Sequence, residues 1–358
     1  MEKGFNKKGF YFFIKVSLLA TLFYVGSYYS MSIFFDYINY KNNVLPIEEK
    51  IRLTKNITAS VIESRNVLDA TSSEIHLAFV GDIMLDRGVY SKILKYGDGN
   101  FNFPFLNIKN DLSKYDFLVG NLEGPVSDKG IDKRNLYSFR MNPEVIGILK
   151  GLGFKALSVA NNHAGDWGPI ALEDTISRLN SSDIKVIGGG FNSEEANAPR
   201  IIEINGTIIS FLAFSAFGAG QYESTQENSG IAVISEDTIK NSIEEARNIS
   251  DIVVVSFHFG DEYKTIQNKT QEKYAKMAVD YGANLVIGHH PHVVQPLDMY
   301  KNAYISYSLG NFVFDQYFSE ETMEGGLLEV DIKDKSIYSV DLRKTKMNKN
   351  YQPELAEI

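Results

Sequence analysis

From Ile75 onward, apolar runs of strand length alternate with amphipathic stretches of helical period. IHLAFVG, FLVGN, ALSVA, DIVVVSFH and NLVIG read as strands, and PEVIGILKGLG, PIALEDTISRLN and QEKYAKMAVDYG as the helices between them. Such alternation predicts an α/β domain with a largely parallel sheet covered on both faces. Two hairpins interrupt the pattern. RIIEINGTIISFLAF folds back at Asn205-Gly206, a dipeptide that favours positive φ, and GGLLEVDIKDKSIYSVDL, from Gly325, reads as a second. The sheets therefore carry an antiparallel contribution as well. From Lys344 the chain turns polar, and residues 344–358 are expected to fray as a tail.

Upstream the pattern changes. No charged residue occurs between Val16 and Phe35, a run rich in Leu, Phe, Tyr, Val and Ile, and a helix of about 20 such residues spans a bilayer core. Lys3, Lys7, Lys8 and Lys15 precede it and Asp36 follows. Positive flanks stay cytoplasmic. The expectation is a single-pass cell-membrane protein with a cytoplasmic basic segment over 1–15, an anchor over 16–35 and everything beyond on the outside. A cleaved signal peptide is the competing reading; the length of the run and the lack of an A-x-A site weigh against it. Residues 36–73 are polar and of mixed charge, with Pro46 before Glu48 and Glu49 in the manner of a helix start, and read as an extracellular stalk. The folded domain is expected over 74–343.

Composition narrows the chemistry. The formal net charge of -9 and the absence of clustered Lys and Arg argue against nucleic acid as a partner. There is no cysteine, which removes disulfides, thiolate zinc sites, a thiol nucleophile and a lipoprotein anchor together. Any metal must be held by His, Asp, Glu and Asn.

Five of the six histidines follow predicted strands: His163 after ALSVANN, His258 after DIVVVSF, and His289, His290 and His292 after NLVIG. Strands of an α/β sheet deliver such groups to its carboxyl edge, so the histidines are expected to meet in space. Asp82 ends LAFVGD, where it would ligate a cation or cap the next helix. Asn121 and Glu123 end FLVGNLE on one side of an extended segment, as two oxygen ligands or as part of a turn. Asn162-His163 offers one ligand and one proton donor. His290-Pro291-His292 sets two imidazoles at alternate positions, an arrangement suited to biting one ion. Weaker signals surround these. Glu262 would serve as a base, as a partner to a ligating His, or as surface charge. Arg140 would meet an anionic substrate or a structural ion pair, and Asn311 would line the same edge or merely turn the chain. Gly188-Gly189-Gly190 lacks the Lys and spacing of a phosphate loop and reads as a turn. His76 is assigned no role.

GDIMLDRG, GNLEGPVS, FRMNPE, ANNHAGDWG, FHFGDEY, IGHHPHVVQPLD and YSLGNFVFDQ, in this order from Ile75 to about Lys333, resemble the CapA (PgsA) proteins of bacterial poly-γ-glutamate capsule synthesis. That family is related to the calcineurin-like metallophosphoesterases. The resemblance implies a four-layer α/β/β/α sandwich of the metallo-dependent phosphatase type with one or two divalent metals. Carried over residue by residue, it makes Asp82, Glu123, Asn162, His258, His290 and His292 metal ligands and His163 the general acid beside them. The phosphoesterase Asp-x-His opening reads Asp82-Ile83-Met84 here, without the His, and the bridging Asp of the second motif is replaced by Asn121 and Glu123. A mixed nitrogen and oxygen shell suits Mn, Fe or Zn. The implied role is to assist synthesis or export of the anionic polymer beside the ligase and membrane-export subunits of a capsule complex. A metal-dependent hydrolase of envelope phosphoesters or of the polymer, and a scaffold without turnover, are the alternatives.

Overall fold

The structure, a computed structural model, describes residues 74–356. The expected cytoplasmic segment, anchor and stalk lie outside the described residues, among which no helix is long and apolar enough to cross a membrane.

The chain runs β1 (Ile75–Ile83), α1 (Arg87–Tyr96), α2 (Lys109–Leu112), β2 (Phe117–Leu122), α3 (Glu144–Leu152), β3 (Phe154–Ser158), α4 (Pro169–Ser181), β4 (Lys185–Ile187), β5 (Gly189–Gly190) and α5 (Ser193–Asn197). It continues through β6 (Arg200–Ile204), β7 (Thr207–Ser215), β8 (Gly230–Ile231), α6 (Glu236–Ile249), β9 (Ile252–His258), α7 (Lys269–Tyr281) and β10 (Leu285–His289). The last strands are β11 (Leu297–Tyr300), β12 (Ala303–Ser306), β13 (Asn311–Val313), β14 (Glu324–Lys333), β15 (Ser336–Met347) and β16 (Pro353–Leu355).

Two mixed sheets result. The first has the order β16-β15-β14-β1-β2-β3-β4, with β13 added beside the end of β1; the second is β11-β12-β10-β9-β7-β6. Within each, the central strands are parallel and the hairpins supply the antiparallel edges. The sheets pack face to face, where Phe211 of β7 meets Phe79 of β1 at 6.5 Å and Phe117 of β2 at 6.1 Å between ring centroids. Leu149 of α3 and Ile176 of α4 complete this core from the outer face of the first sheet. A second core joins Val253 and Val255 of β9 to Ile243 of α6 and Ala275 and Ala278 of α7. Covered on both faces, β9 is buried along its whole length, which is why it reads as an unbroken apolar run.

Local chemistry fixes the ends. Pro169 opens α4, a position where its missing N–H costs nothing. Asn268 and Gln271 form a reciprocal capping box at the start of α7, and Asn205 and Gly206 take φ of 50° and 75° in the β6–β7 hairpin.

Three expectations change. Residues 344–356 are not a fraying tail: β15 extends to Met347, β16 pairs with it, and between them Tyr351 and Gln352 are buried, with Gln352 Nε2 donating to the Phe103 carbonyl at 2.7 Å. Edge strands carry polar side chains on their wet face, so polarity alone hides them. The Gly188–Gly190 segment contains more than a turn, since Gly189 and Gly190 form β5 and pair with β8. And it is Asp86, not Asp82, that caps the helix after β1.

Candidate metal centre

The parallel register brings the strand ends together. Asp82 lies beside Asn121 on one side and Asn311 on the other, and His258 beside His289 in the second sheet. Close backbone approach makes this possible: a Cβ on Gly81 would stand 1.9 Å from the Gly310 carbonyl oxygen, and one on Gly288 1.8 Å from that of Tyr307. Only hydrogen fits at either place.

Asp82 is fully buried among imidazoles. Its Oδ1 is 3.2 Å from His289 Nδ1 and its Oδ2 3.3 Å from His292 Nδ1. Burial alone would raise its pKa, but His289 and His292 together outweigh that and hold it well below the usual carboxylate range. Glu123 shows the opposite balance, with burial first and then Asp82, Glu262 and Asp166 pushing it well above the usual range. Its Oε1 is buried without a hydrogen-bond partner, 3.7 Å from His292 Nε2 and 3.8 Å from His163 Nε2.

Two sets of donor atoms converge. Atoms of Asp82, Glu123 and His292 lie within 4.8 Å of one another, as do atoms of Glu262, His290 and His292. His292 belongs to both. Glu262 is exposed and closes the solvent side of the second set. His290 Nδ1 is buried without a partner, and burial followed by the neighbouring His292 brings its pKa down to about 3, leaving a neutral imidazole available to a cation. His258 lies tilted against His290 with ring centroids 4.9 Å apart and is likewise held well below its usual range, by burial first. Its Nε2 is 2.7 Å from Asn162 Oδ1. The donor chemistry, with an orphaned carboxylate oxygen and neutral imidazoles, fits a divalent ion.

His163 stands at the rim of this cluster. Its Nδ1 is 2.8 Å from Asp166 Oδ2, leaving Nε2 to face Glu123, and Phe139 lies over the ring at 3.9 Å between centroids. Asp166 also accepts from the Phe139 backbone N–H and from Asn135 Nδ2, both at 2.8 Å, so one buried carboxylate orients His163 and ties down the 130s loop.

The expected substrate contacts change. Asn121 and Asn311 are buried and their amides are engaged: Asn121 Nδ2 donates to Asp82 Oδ1 at 2.9 Å, while Asn311 Oδ1 lies 3.0 Å from His292 Nδ1 and its Nδ2 donates to the Thr322 carbonyl at 2.9 Å. They hold the donor groups in place rather than meeting a ligand. Arg140 makes no ion pair among the described residues; its guanidinium lies 3.6 Å above the Trp167 ring. His76 pairs with Asp331 at 2.7 Å, far down the sheet from the site.

One participant, Asp166, is assigned no role in the sequence reading. It sits three residues after His163 and orients that ring. His289, expected at this edge, brings Nδ1 to 3.2 Å from Asp82 Oδ1. Tyr263 lies against His292, with ring centroids 6.1 Å apart and an angle of 27°. The backbone carries strain here as well, with φ of 98° at His290, 58° at His292 and 63° at Tyr263. Bulky side chains rarely adopt such values, and they persist where surrounding structure enforces them for a purpose.

A sequence profile for the bacterial capsule synthesis protein PGA_cap matches residues 76–316. The chain belongs to that family. Among PGA_cap relatives, the capsule biosynthesis protein CapA of Bacillus anthracis is 33% identical over 282 residues, covering 76% of this chain and 67% of that protein. The PGA biosynthesis protein CapA of Bacillus subtilis is 31% identical over 280 residues, covering 77% and 72%. Solved structures with similar chain traces include a novel phosphatase from Mycoplasma pneumoniae, with 13% identity, coverage of 76% and 94% and a TM-score of 0.47. Another is a calcineurin-like phosphoesterase from Bacillus subtilis, with 15% identity, coverage of 75% and 91% and a TM-score of 0.43.

Proposed function

We propose that this PGA_cap protein is a membrane-anchored accessory factor of poly-γ-glutamate capsule synthesis or export, whose extracellular domain is a sandwich of the metallo-dependent phosphatase type holding one or two divalent transition-metal ions. Family membership supports the polymer. One observation carries the metal: two donor sets share His292, and Glu123 Oε1 beside them is buried with no partner. An isolated carboxyl in that position neutralises itself by holding a proton, whereas a bound cation would keep it ionised.

Asp82, Glu123 and His292 would hold one ion, with His290, Glu262, His258 and Asn162 as the further donors for that ion or a neighbouring one; Mn, Fe or Zn suits this shell. Such an ion supplies Lewis-acid polarisation of a substrate oxygen. The protein's own contribution is a positioned proton. With Nδ1 held by Asp166, His163 presents Nε2 toward the donor cluster and gives its proton to the leaving group of a phosphoester or amide substrate. This favours a hydrolytic role over a scaffold, because an imidazole used only for packing has no reason to keep one nitrogen free beside an unpartnered carboxylate oxygen. The ligase and export subunits of the capsule apparatus are the expected partners.

The test is a strain lacking the gene, complemented with the parent chain or with His290→Ala/His292→Ala. The parent should carry a transition metal and restore polymer, and the double variant should do neither. A parent chain that takes up no Mn, Fe or Zn, or full polymer yield from the double variant, would overturn the reading.

A further inference from the structure

A run of aromatic rings, exposed at every position but Tyr351, leads away from the donor cluster and ends among lysines. Tyr263, against His292, meets Phe318 edge to face at 5.0 Å. The preceding residue, Tyr317, lies 6.5 Å from Tyr351, and Lys92 Nζ stands 6.0 Å over the Tyr351 ring. Lys92 and Lys95 then both lie 5.1 Å from the ring of Tyr96. Large apolar side chains are not left in water here for want of a core: Tyr317 is 74% exposed, Phe318 62%, Tyr96 52% and Tyr263 42%. Tyr263 in addition holds a left-handed backbone, pinned by its N–H donating to the Pro291 carbonyl at 2.8 Å. A bulky, strained and exposed residue at the mouth of a site is there for contact with something else.

The lysines set the charge of that partner. Lys92, Lys95 and Lys349 pair with no carboxylate among the described residues. The Tyr96 hydroxyl registers their field, lowered from its usual range by Lys95 first and in the same sense by Lys92 and Lys349. In a chain of net charge -9, three unpaired lysines on one patch mark a place for an anion. Glu320 and Glu321 follow Phe318 in sequence, so the positive charge lies at the far end of the run and not at its start.

We propose that this track, from Tyr263 through Phe318 and Tyr317, across the buried Tyr351, to Lys92, Lys95 and the exposed Tyr96, binds an extended, amide-linked polycarboxylate and leads it to the donor cluster. The inference rests on the polymer reading above and names the surface that takes it. Ring faces cover methylene segments while ammonium groups meet carboxylates spaced along the chain. A polyphosphate has no apolar segments to cover the rings, and a compact phosphoester held at the donor cluster would not reach the lysines.

The test uses the full chain in detergent and fluorescein-labelled poly-γ-glutamate, read by anisotropy at low and high salt. The parent should bind, with affinity falling as salt rises. Lys92→Glu/Lys95→Glu should weaken binding by about tenfold or more and flatten the salt dependence, and Phe318→Ala should weaken it severalfold, both with unchanged metal content and thermal transition. A two-residue γ-glutamyl peptide, too short to reach the lysines, should bind parent and lysine variant alike. If the parent binds the polymer and these variants bind it equally well, the track is refuted while the polymer reading stands. Equal competition by polyphosphate would also refute the assignment. If the parent binds no polymer under any salt condition, the polymer reading falls and takes the track with it.

Discussion

Replacing Asp166 by Asn separates the charge of that residue from its shape. Oδ2 accepts from the Phe139 N–H and faces His163 Nδ1, each at 2.8 Å, while Oδ1 accepts only from Asn135 Nδ2. An Asn amide can therefore keep its oxygen at the Oδ2 position and turn its NH2 toward Asn135, whose own exposed amide can rotate to accept. The fold loses one charge-assisted hydrogen bond, on the order of 1 kcal/mol. His163 keeps a neutral acceptor in place of the carboxylate that orients its ring. If His163 is the proton donor, turnover should fall by about 10²- to 10⁴-fold while metal content and thermal midpoint change little. Asp166→Ala should behave differently, since it strands the buried Phe139 N–H and costs about 1–3 kcal/mol of stability as well. The assay is polymer yield in complemented cells beside hydrolysis of a chromogenic phosphodiester across a range of pH. Asp166→Asn matching the parent in both, at every pH, would refute the role assigned to His163.

Asn311→Ala removes the amide that steadies His292 and should weaken metal binding by about 10- to 100-fold, measured by competition with a chelating dye; unchanged affinity would mean that His292 needs no such support. Metal uptake should release a proton, because the metal-free site holds Glu123 well above its usual pKa and a bound cation ionises it. Affinity then falls as pH falls, by up to about tenfold per pH unit below that raised pKa. His290, already brought down to about 3, stays neutral over this range and adds no proton step. Calorimetry in buffers of different ionisation enthalpy reads the release, and finding none in the parent, or the same release in Glu123→Gln, would overturn the assignment. Gly288→Ala should destabilise the domain by about 3 kcal/mol, as the new methyl meets the Tyr307 carbonyl; a thermal midpoint within a degree or two of the parent would show that the strands can part there.

Much of the domain is decided by local pattern. The buried parallel strands β1, β2, β3, β9 and β10 announce themselves because both faces are covered and every position must be apolar. The β6–β7 hairpin follows from Asn205-Gly206, and α4 and α7 from their caps and period. The gathering of Asp82, Glu123, Asn162, His163, His258, His290 and His292 was legible for the same reason, since polar side chains that interrupt an apolar run at its carboxyl end collect at one edge. What no local pattern holds is the pairing across that edge. Asn121 reaches Asp82 because β2 pairs with β1, and Asn311 comes to stand beside Asp82 and His292 because β13 joins β1, a contact between residues more than two hundred positions apart. The opposite balances at Asp82 and Glu123 come from which imidazoles and carboxylates the two sheets bring beside each buried group, and neither neighbourhood exists until the sheets are packed. The same holds for β16 and for the aromatic and lysine track: each is assembled from segments that look like polar surface when read singly, because burial and contact are properties of the folded chain and not of any window along it.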